Sequence, residues 1–181
     1  MEQIGDAYSS ENHTLMNNLE IIRHNDILFR DLLRAVAVKN VAWPHSVESQ
    51  VKWIIDNMQP DDLHVFLRED DVDLAYMTLS PVIATVNGVD TSFMGIGCVC
   101  SAKHGVGLGK QLMENVNKWL KDNNYKGLLF CKKELVQFYK KCGWNLIEPA
   151  SVIFTTSHDG VYTMSYNCEG IKKIEYKDLF F

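Results

Sequence analysis

The chain has 181 residues, 46% of them hydrophobic, with a formal net charge of −5 and a pI of about 5.6. That suffices for one compact domain spanning 1–181 with a substantial core, and is marginal for two. No basic stripe marks a nucleic-acid surface and no apolar run approaches the ~20 residues of a membrane span, so neither nucleic acid nor membrane is an expected partner.

Residues 1–18 are polar and are expected to be loosely ordered. Leu19 to Arg23 reads as a first short strand. Asp26 is placed to cap a helix running to about Val38, with Leu28, Leu32, Leu33 and Val36 on one side. Pro44 interrupts the chain, and Ser46 caps a second helix carrying Val47, Val51, Ile54 and Ile55, with Pro60 beyond its end. His64 to Arg68 and Leu74 to Leu79 read as strands separated by the acidic turn 69–73. Pro81 marks a break, and Val82 to Val86, Asn87-Gly88 and Val89 onward read as a hairpin, because Asn-Gly suits a two-residue turn.

Met94 to Cys100 is the strand that follows. The next helix carries its apolar face on Leu108, Leu112, Val116, Trp119 and Leu120, and Gly127 to Cys131 is the strand after it. A strand, a crossover helix and a second strand predict parallel pairing. Glu134 to Cys142 forms another helix, closed by Gly143 where a left-handed residue is favoured. Strands at Trp144 to Ile147, Ser151 to Thr155 and Val161 to Tyr166, with Asp159-Gly160 as a turn, complete the order; the end, Asp178-Leu-Phe-Phe181, reads as a docked hydrophobic tail. No repeat or linker divides the chain.

Five cysteines, Cys98, Cys100, Cys131, Cys142 and Cys168, form no Cys-x-x-Cys pair and have no histidine at zinc-site spacing, so no metal is expected. Their odd number and the polar start of the chain predict free thiols and a cytoplasmic protein. Cys98 and Cys100 alternate along one strand and should face the same side.

Between that strand and its helix lies the most informative stretch, Cys98-Val-Cys-Ser-Ala-Lys-His-Gly-Val-Gly-Leu-Gly-Lys110. Alternating glycines let a backbone approach a ligand closely, and the first turn of a helix offers unpaired N–H groups and partial positive charge. The arrangement suits a diphosphate. A P-loop is excluded twice, because Gln111 stands where the hydroxyl residue belongs and His104 where the first glycine belongs. A dinucleotide fingerprint fails at Lys110, its third glycine position, and at Lys132-Lys133, where the ribose-binding acid belongs. The remaining pattern is [QR]-x-x-G-x-[GA], matched in spacing by His104-Gly-Val-Gly-Leu-Gly109 with His104 in place of Gln or Arg.

This loop resembles that of the GCN5-related N-acetyltransferases (GNAT). Phe138-Tyr139-Lys-Lys-Cys-Gly143-Trp144 resembles their Y-x-x-x-G-[FW] segment and falls in the same order after a helix and a strand. The two motifs cover the chain from about Met94 to Trp144. More loosely, Pro149 to Tyr166 is similar to the end of the aminoglycoside 2′-N-acetyltransferase branch. The resemblance implies an α/β fold with a mixed sheet: a single GNAT-like domain, early antiparallel strands, then a β-α-β-α-β unit with a splayed central strand pair. It implies acetyl-CoA as co-substrate and a small-molecule amine as acceptor, and leaves monomer and homodimer both open.

The site residues that it implies are these. The backbone of Cys98, Val99 and Cys100 would hold pantetheine, and His104, Gly105, Val106, Gly107, Leu108, Gly109 and Lys110 the pyrophosphate. Lys132 stands near the position of an asparagine that contacts the pantetheine arm in many members, and that asparagine is missing. Tyr139 matches the family tyrosine that protonates the departing thiolate; helix spacing alone instead reads it as a core residue beside Leu135, Phe138 and Cys142. The acid found before the loop in aminoglycoside-type members is replaced by Gly95, leaving Asp90, Glu48, His45 and His64 as conceivable bases. A module that binds acyl-CoA without catalysis is the alternative function.

Overall fold

The computed structural model describes residues 13–16, 18–155 and 160–177. Asp159 and the tail Asp178 to Phe181 lie outside the described residues. A continuous sheet runs in the order β1 (His13–Met16), β2 (Leu19–Arg23), β3 (Leu63–Glu69), β4 (Val72–Val86), β5 (Val89–Ser101), β6 (Gly127–Lys132), β9 (Val161–Tyr166) and β7 (Asn145–Leu146). Strand β10 (Ile174–Tyr176) pairs antiparallel with the far end of β4 and parallel with β8 (Val152–Phe154). Neighbours from β1 to β5 are antiparallel, and β5 with β6 is the one parallel pair on the main path among the described residues, as the crossover by α3 (Leu108–Asp122) predicts. No described helix is long and apolar enough to cross a membrane.

Two expectations about the start of the chain change. Residues 13–16, read as loose, add a strand to β2. Asp26 sits in a single 3-10 turn, His24–Asp26, and α1 (Phe29–Ala42) begins three residues later. Its first turn is closed by Asp31, whose carboxylate accepts a long hydrogen bond from the Leu28 amide (3.4 Å) and pairs with Arg34. The buried stripe of α1 is therefore Leu32, Ala35, Val36 and Lys39, while Leu28 and Leu33 face outward. Ser46 does cap α2 (Val47–Asn57), its hydroxyl accepting from the Ser49 amide at 3.2 Å. Gln50 and Ile54 are that helix's buried positions, whereas Val47 and Ile55 are exposed.

Pro81 does not break β4. It sits within the strand opposite Met94, so the run from Val72 reaches Asn87-Gly88 unbroken. That turn takes positive φ at both residues (51° and 85°), the geometry that matches strand twist in a tight hairpin. Strand β10 has no counterpart in the expectations.

Helices α1 and α2 cover one face of the sheet over Ile22, Phe66, Tyr76 and Cys100. On the other face lies α3 with α4 (Val136–Lys141), over Val65, Met77, Leu79, Ile96 and Leu129. Helix α4 ends in a Schellman motif: Trp144 N–H donates to Tyr139 C=O (3.0 Å), Gly143 N–H to Lys140 C=O (3.0 Å), and Gly143 takes φ +86°.

Candidate active site

Strands β5 and β6 pair only over Met94–Gly127, Gly95–Leu128 and Ile96–Leu129. Beyond that point β6 continues with β9, while β5 stays with β4. The two diverge, and the β6-facing edge of residues 97–101 carries no strand among the described residues. The divergence coincides with a bulge. Tyr76 lies opposite Cys100 and Thr78 opposite Gly97, so Cys98 and Val99 together oppose Met77. Cys98 holds φ +52°, a left-handed conformation that costs a side-chain-bearing residue about 1–3 kcal/mol.

Cys98 and Cys100 both face the α1–α2 side and Val99 the α3 side, as strand alternation predicts. Burial raises both thiol pKa values, that of Cys100 to about 12; beside Cys98 the nearby Lys39 ammonium opposes the shift. The thiols are therefore protonated at neutral pH. Among the described residues no cluster of His, Cys, Asp and Glu could hold a metal ion.

After β5 the chain turns through Ala102 to Gly107 into α3. Gly105 and Gly107 have φ +77° and +87°, and a Cβ on either would meet open space. Glycine is thus required there by backbone conformation rather than crowding. Gly107 is the N-cap of α3, and the first amide to bond back along the chain is that of Gln111, to Gly107 C=O at 3.0 Å. The amides just before it, Leu108, Gly109 and Lys110, point out of the helix start without a described acceptor. A Cβ on Gly109 would lie 3.6 Å from Phe138 Cζ, an ordinary contact. The loop therefore abuts α4, and its last glycine position has room for alanine, as [GA] at that position requires.

His104, Val106 and Lys110 are exposed, Leu108 and Gly109 half-buried; Lys110 reaches Glu114 at 3.3 Å. Lys132 ends β6 on the other wall of the gap and is also exposed. Tyr139 is buried in the α3-side cluster with Val136, Cys131 and Cys142, its ring edge-on to Phe138 at 5.0 Å. Burial, then the neighbouring Cys131 and Cys142, push its phenol pKa up, so the hydroxyl keeps its proton through neutral and mildly alkaline pH. The ring is core, as helix spacing reads it, and its helix lies against the loop through Phe138.

Of the four conceivable bases, Asp90 lines a cavity with Asn124 and Tyr125 near the start of β5, and His45 lines one near the bulge. The His45 cavity, of about 320 Å³, lies on the α1–α2 side against Cys98. Asp90 is exposed at the hairpin, accepting from Thr85 Oγ1 at 2.7 Å, and Glu48 is exposed on α2. His64 is fully buried, its Nε2 bonded to His24 Nδ1 (2.9 Å) and its Nδ1 to Tyr76 Oη (2.8 Å). Gly95 is buried between Ser80 and Leu128. Sequence reasoning missed Lys39, Gln50, Trp43 and Trp53 on the cavity wall. The available signal was a lysine and a glutamine on the core-facing stripes of two amphipathic helices.

No family model matches this chain, and no curated protein matches it in sequence. Solved structures do match in shape. The GNAT family N-acetyltransferase YhbS from Escherichia coli, solved in complex with CoA, aligns at TM-score 0.58 and 15% identity, covering 88% of this chain and 89% of that one. An acetyltransferase (GNAT family) from Bacillus anthracis aligns at 0.57 and 11%, covering 88% and 98%. An acyl-CoA N-acyltransferase from Pseudomonas aeruginosa aligns at 0.56 and 20%, covering 82% and 98%. At these identities the likeness is one of fold: the chain has the mixed α/β fold of the GNAT-type N-acetyltransferases.

Proposed function

We propose that this protein is an acetyl-CoA-dependent N-acetyltransferase acting on a primary amine of a small molecule. The observation that carries this reading is the gap between β5 and β6, with the glycine loop and α3 at its end. The unpaired edge at Cys98, Val99 and Cys100 offers backbone groups to the two amides of pantetheine, in the manner of an added strand. The amides from Gly105 to Lys110 offer donors to a pyrophosphate at a helix start, with His104 and Lys110 beside them and Lys132 across the gap. Acetyl-CoA, when bound, supplies the activated acyl group.

The residues of the chain then divide the work. Tyr139, protonated at working pH, donates to the leaving sulfur. The acceptor nitrogen bonds the acetyl carbon, the carbon–sulfur bond breaks, the phenol proton goes to sulfur, and the surplus proton on nitrogen passes to solvent, which returns one to the Tyr139 phenolate. Protonated thiols at Cys98 and Cys100 speak for direct attack by the amine rather than an acyl-cysteine. An aminoglycoside acceptor is not favoured, because the described lining of the cavity beside Cys98 contains no carboxylate to receive a polycation.

A non-catalytic acyl-CoA-binding module is supported by the missing acid at Gly95 and by the departures at His104 and Lys132. Calorimetric titration with CoA tests the shared premise, and acetyl-CoA consumption over an amine panel separates the two. Tyr139→Phe should lower kcat about 100-fold while CoA affinity stays within about 2-fold. Unchanged turnover in this variant would remove Tyr139 from the mechanism.

A further inference from the structure

The cavity against Cys98 has a specific chemistry. Its walls include Lys39, Trp43, His45, Gln50, Trp53 and Cys98. Lys39 is only 5% exposed, yet it lines this space. Its ammonium lies 4.1 Å from the centroid of the Trp53 ring and beside the Cys98 thiol. No described carboxylate pairs with it. A buried ammonium is costly without a counter-charge, and a cation–π contact supplies only part of what hydration gave. The chain has 23 acidic residues, and among the described residues none lines the cavity, so the missing anion is a property of this place and not of the composition.

The apolar part of the wall is two indole rings. Gln50 is buried and steadied by donating from Nε2 to Trp43 C=O at 2.8 Å, which ties α2 to the end of α1 across the cavity. The cavity reaches the bulge through Cys98, the residue at which β5 exposes its edge to the gap. A ligand here would place one end at the buried ammonium and another beside the bulge. Because Lys39 and Cys98 are neighbours, those two ends can be only a few atoms apart.

We infer that this cavity is the acceptor pocket and that its substrates are amino carboxylates of the α-amino-acid type, with an apolar or aromatic body. Lys39 binds the carboxylate, Trp43 and Trp53 enclose the body, and the amine faces the bulge at Cys98. Polyamines and aminoglycosides are excluded by the same feature, because each would bring further ammonium groups to Lys39 with no described acid to offset them. The role of the amine rests on the acetyl-transfer reading, whereas carboxylate binding at Lys39 does not.

The test uses the full chain saturated with CoA. Intrinsic tryptophan fluorescence follows titration with L-phenylalanine, L-leucine and their carboxamides, and a parallel assay follows acetyl-CoA consumption with the same four amines, spermidine and kanamycin. The free acids should bind about 10-fold or more tightly than the carboxamides, since a charge-assisted contact is lost in the amide. Lys39→Met should bring acid and amide within about 2-fold of each other, and Lys39→Arg should restore much of the difference. Equal binding of acid and amide by the unmodified protein, or no binding of either, overturns the inference, and that comparison needs no variant. Preference for spermidine or kanamycin in the assay also overturns it while leaving acetyl transfer standing. Selective binding of the acids with no acetylation of any amine keeps the carboxylate site and overturns the transferase reading.

Discussion

Gly127 shows how a single missing methyl holds the candidate site together. A Cβ there would fall 2.5 Å from Trp144 Cη2. That indole cannot move aside easily. It is 2% exposed, and its Nε1 donates to Asn117 Oδ1 (3.0 Å), while Asn117 Nδ2 donates to Cys142 C=O (2.7 Å). Asn117 belongs to α3 and Cys142 to the end of α4, so one side-chain amide links both helices to the tryptophan under β6. The Gly-Trp pair that closes the Tyr139 segment is therefore scaffold: it fixes α4 relative to α3. Gly127→Ala should destabilise the protein by about 2 kcal/mol through overpacking, read from urea denaturation. A loss below ~0.5 kcal/mol would mean that the indole has more freedom than its bonds suggest.

Among the elements, α1 is anchored by charge as well as by its apolar stripe. Arg34 pairs with Asp31 in its own helix (2.9 Å), Glu20 on β2 (2.5 Å) and Asp73 on β4 (2.7 Å), and lies 4.4 Å above the Phe66 ring. Arg68 on β3 joins the same carboxylates, at 3.2 Å from each of Glu20 and Asp73. These contacts set the helix carrying Lys39 against β2 to β4. Because Asp31 and Glu20 are buried, losing the guanidinium they share weakens the compensation of both, leaving Arg30 at 3.6 Å from Asp31 and Arg68 at 3.2 Å from Glu20. Arg34→Met should cost about 3 kcal/mol, measured as a shift in denaturation midpoint with an unchanged slope. The dense network predicts a larger loss than an exposed ion pair such as Lys52–Asp56 would give.

At the scale of the whole molecule, His64 couples stability to pH. Burial, then the nearby His24 and Lys39, push its pKa down to about 3, and burial lowers His24 as well. His64 is neutral in the folded protein, whereas the unfolded chain takes up a proton near its ordinary value of ~6.5. The unfolded state thus binds more protons between those limits, and stability must fall as pH drops from ~6.5 toward 3, by up to ~1.4 kcal/mol per pH unit. Denaturation midpoints at pH 7, 5.5 and 4 should decline in that order, and His64→Gln should flatten the decline. A midpoint that does not change with pH over this range would show that His64 is protonated in the fold.

Features that depend on neighbours along the chain were legible before folding. Helical periodicity gave α3, an Asn-Gly pair the β4–β5 hairpin, a left-handed glycine the end of α4, and the glycine loop its place before a helix, because turns and caps are local physics. Leu28 and Leu33 misled because their spacing could not reveal that the buried stripe of α1 turns toward Lys39. Pro81 misled because a proline is a stop signal only where a strand needs its amide. Tertiary structure decided the rest: the bulge at Cys98, the divergence of β5 from β6, and the meeting of Lys39 and Trp53 with Cys98. These join residues up to 59 positions apart (39 to 98), and such contacts are set by the packing of two helices on a sheet, which no local pattern encodes.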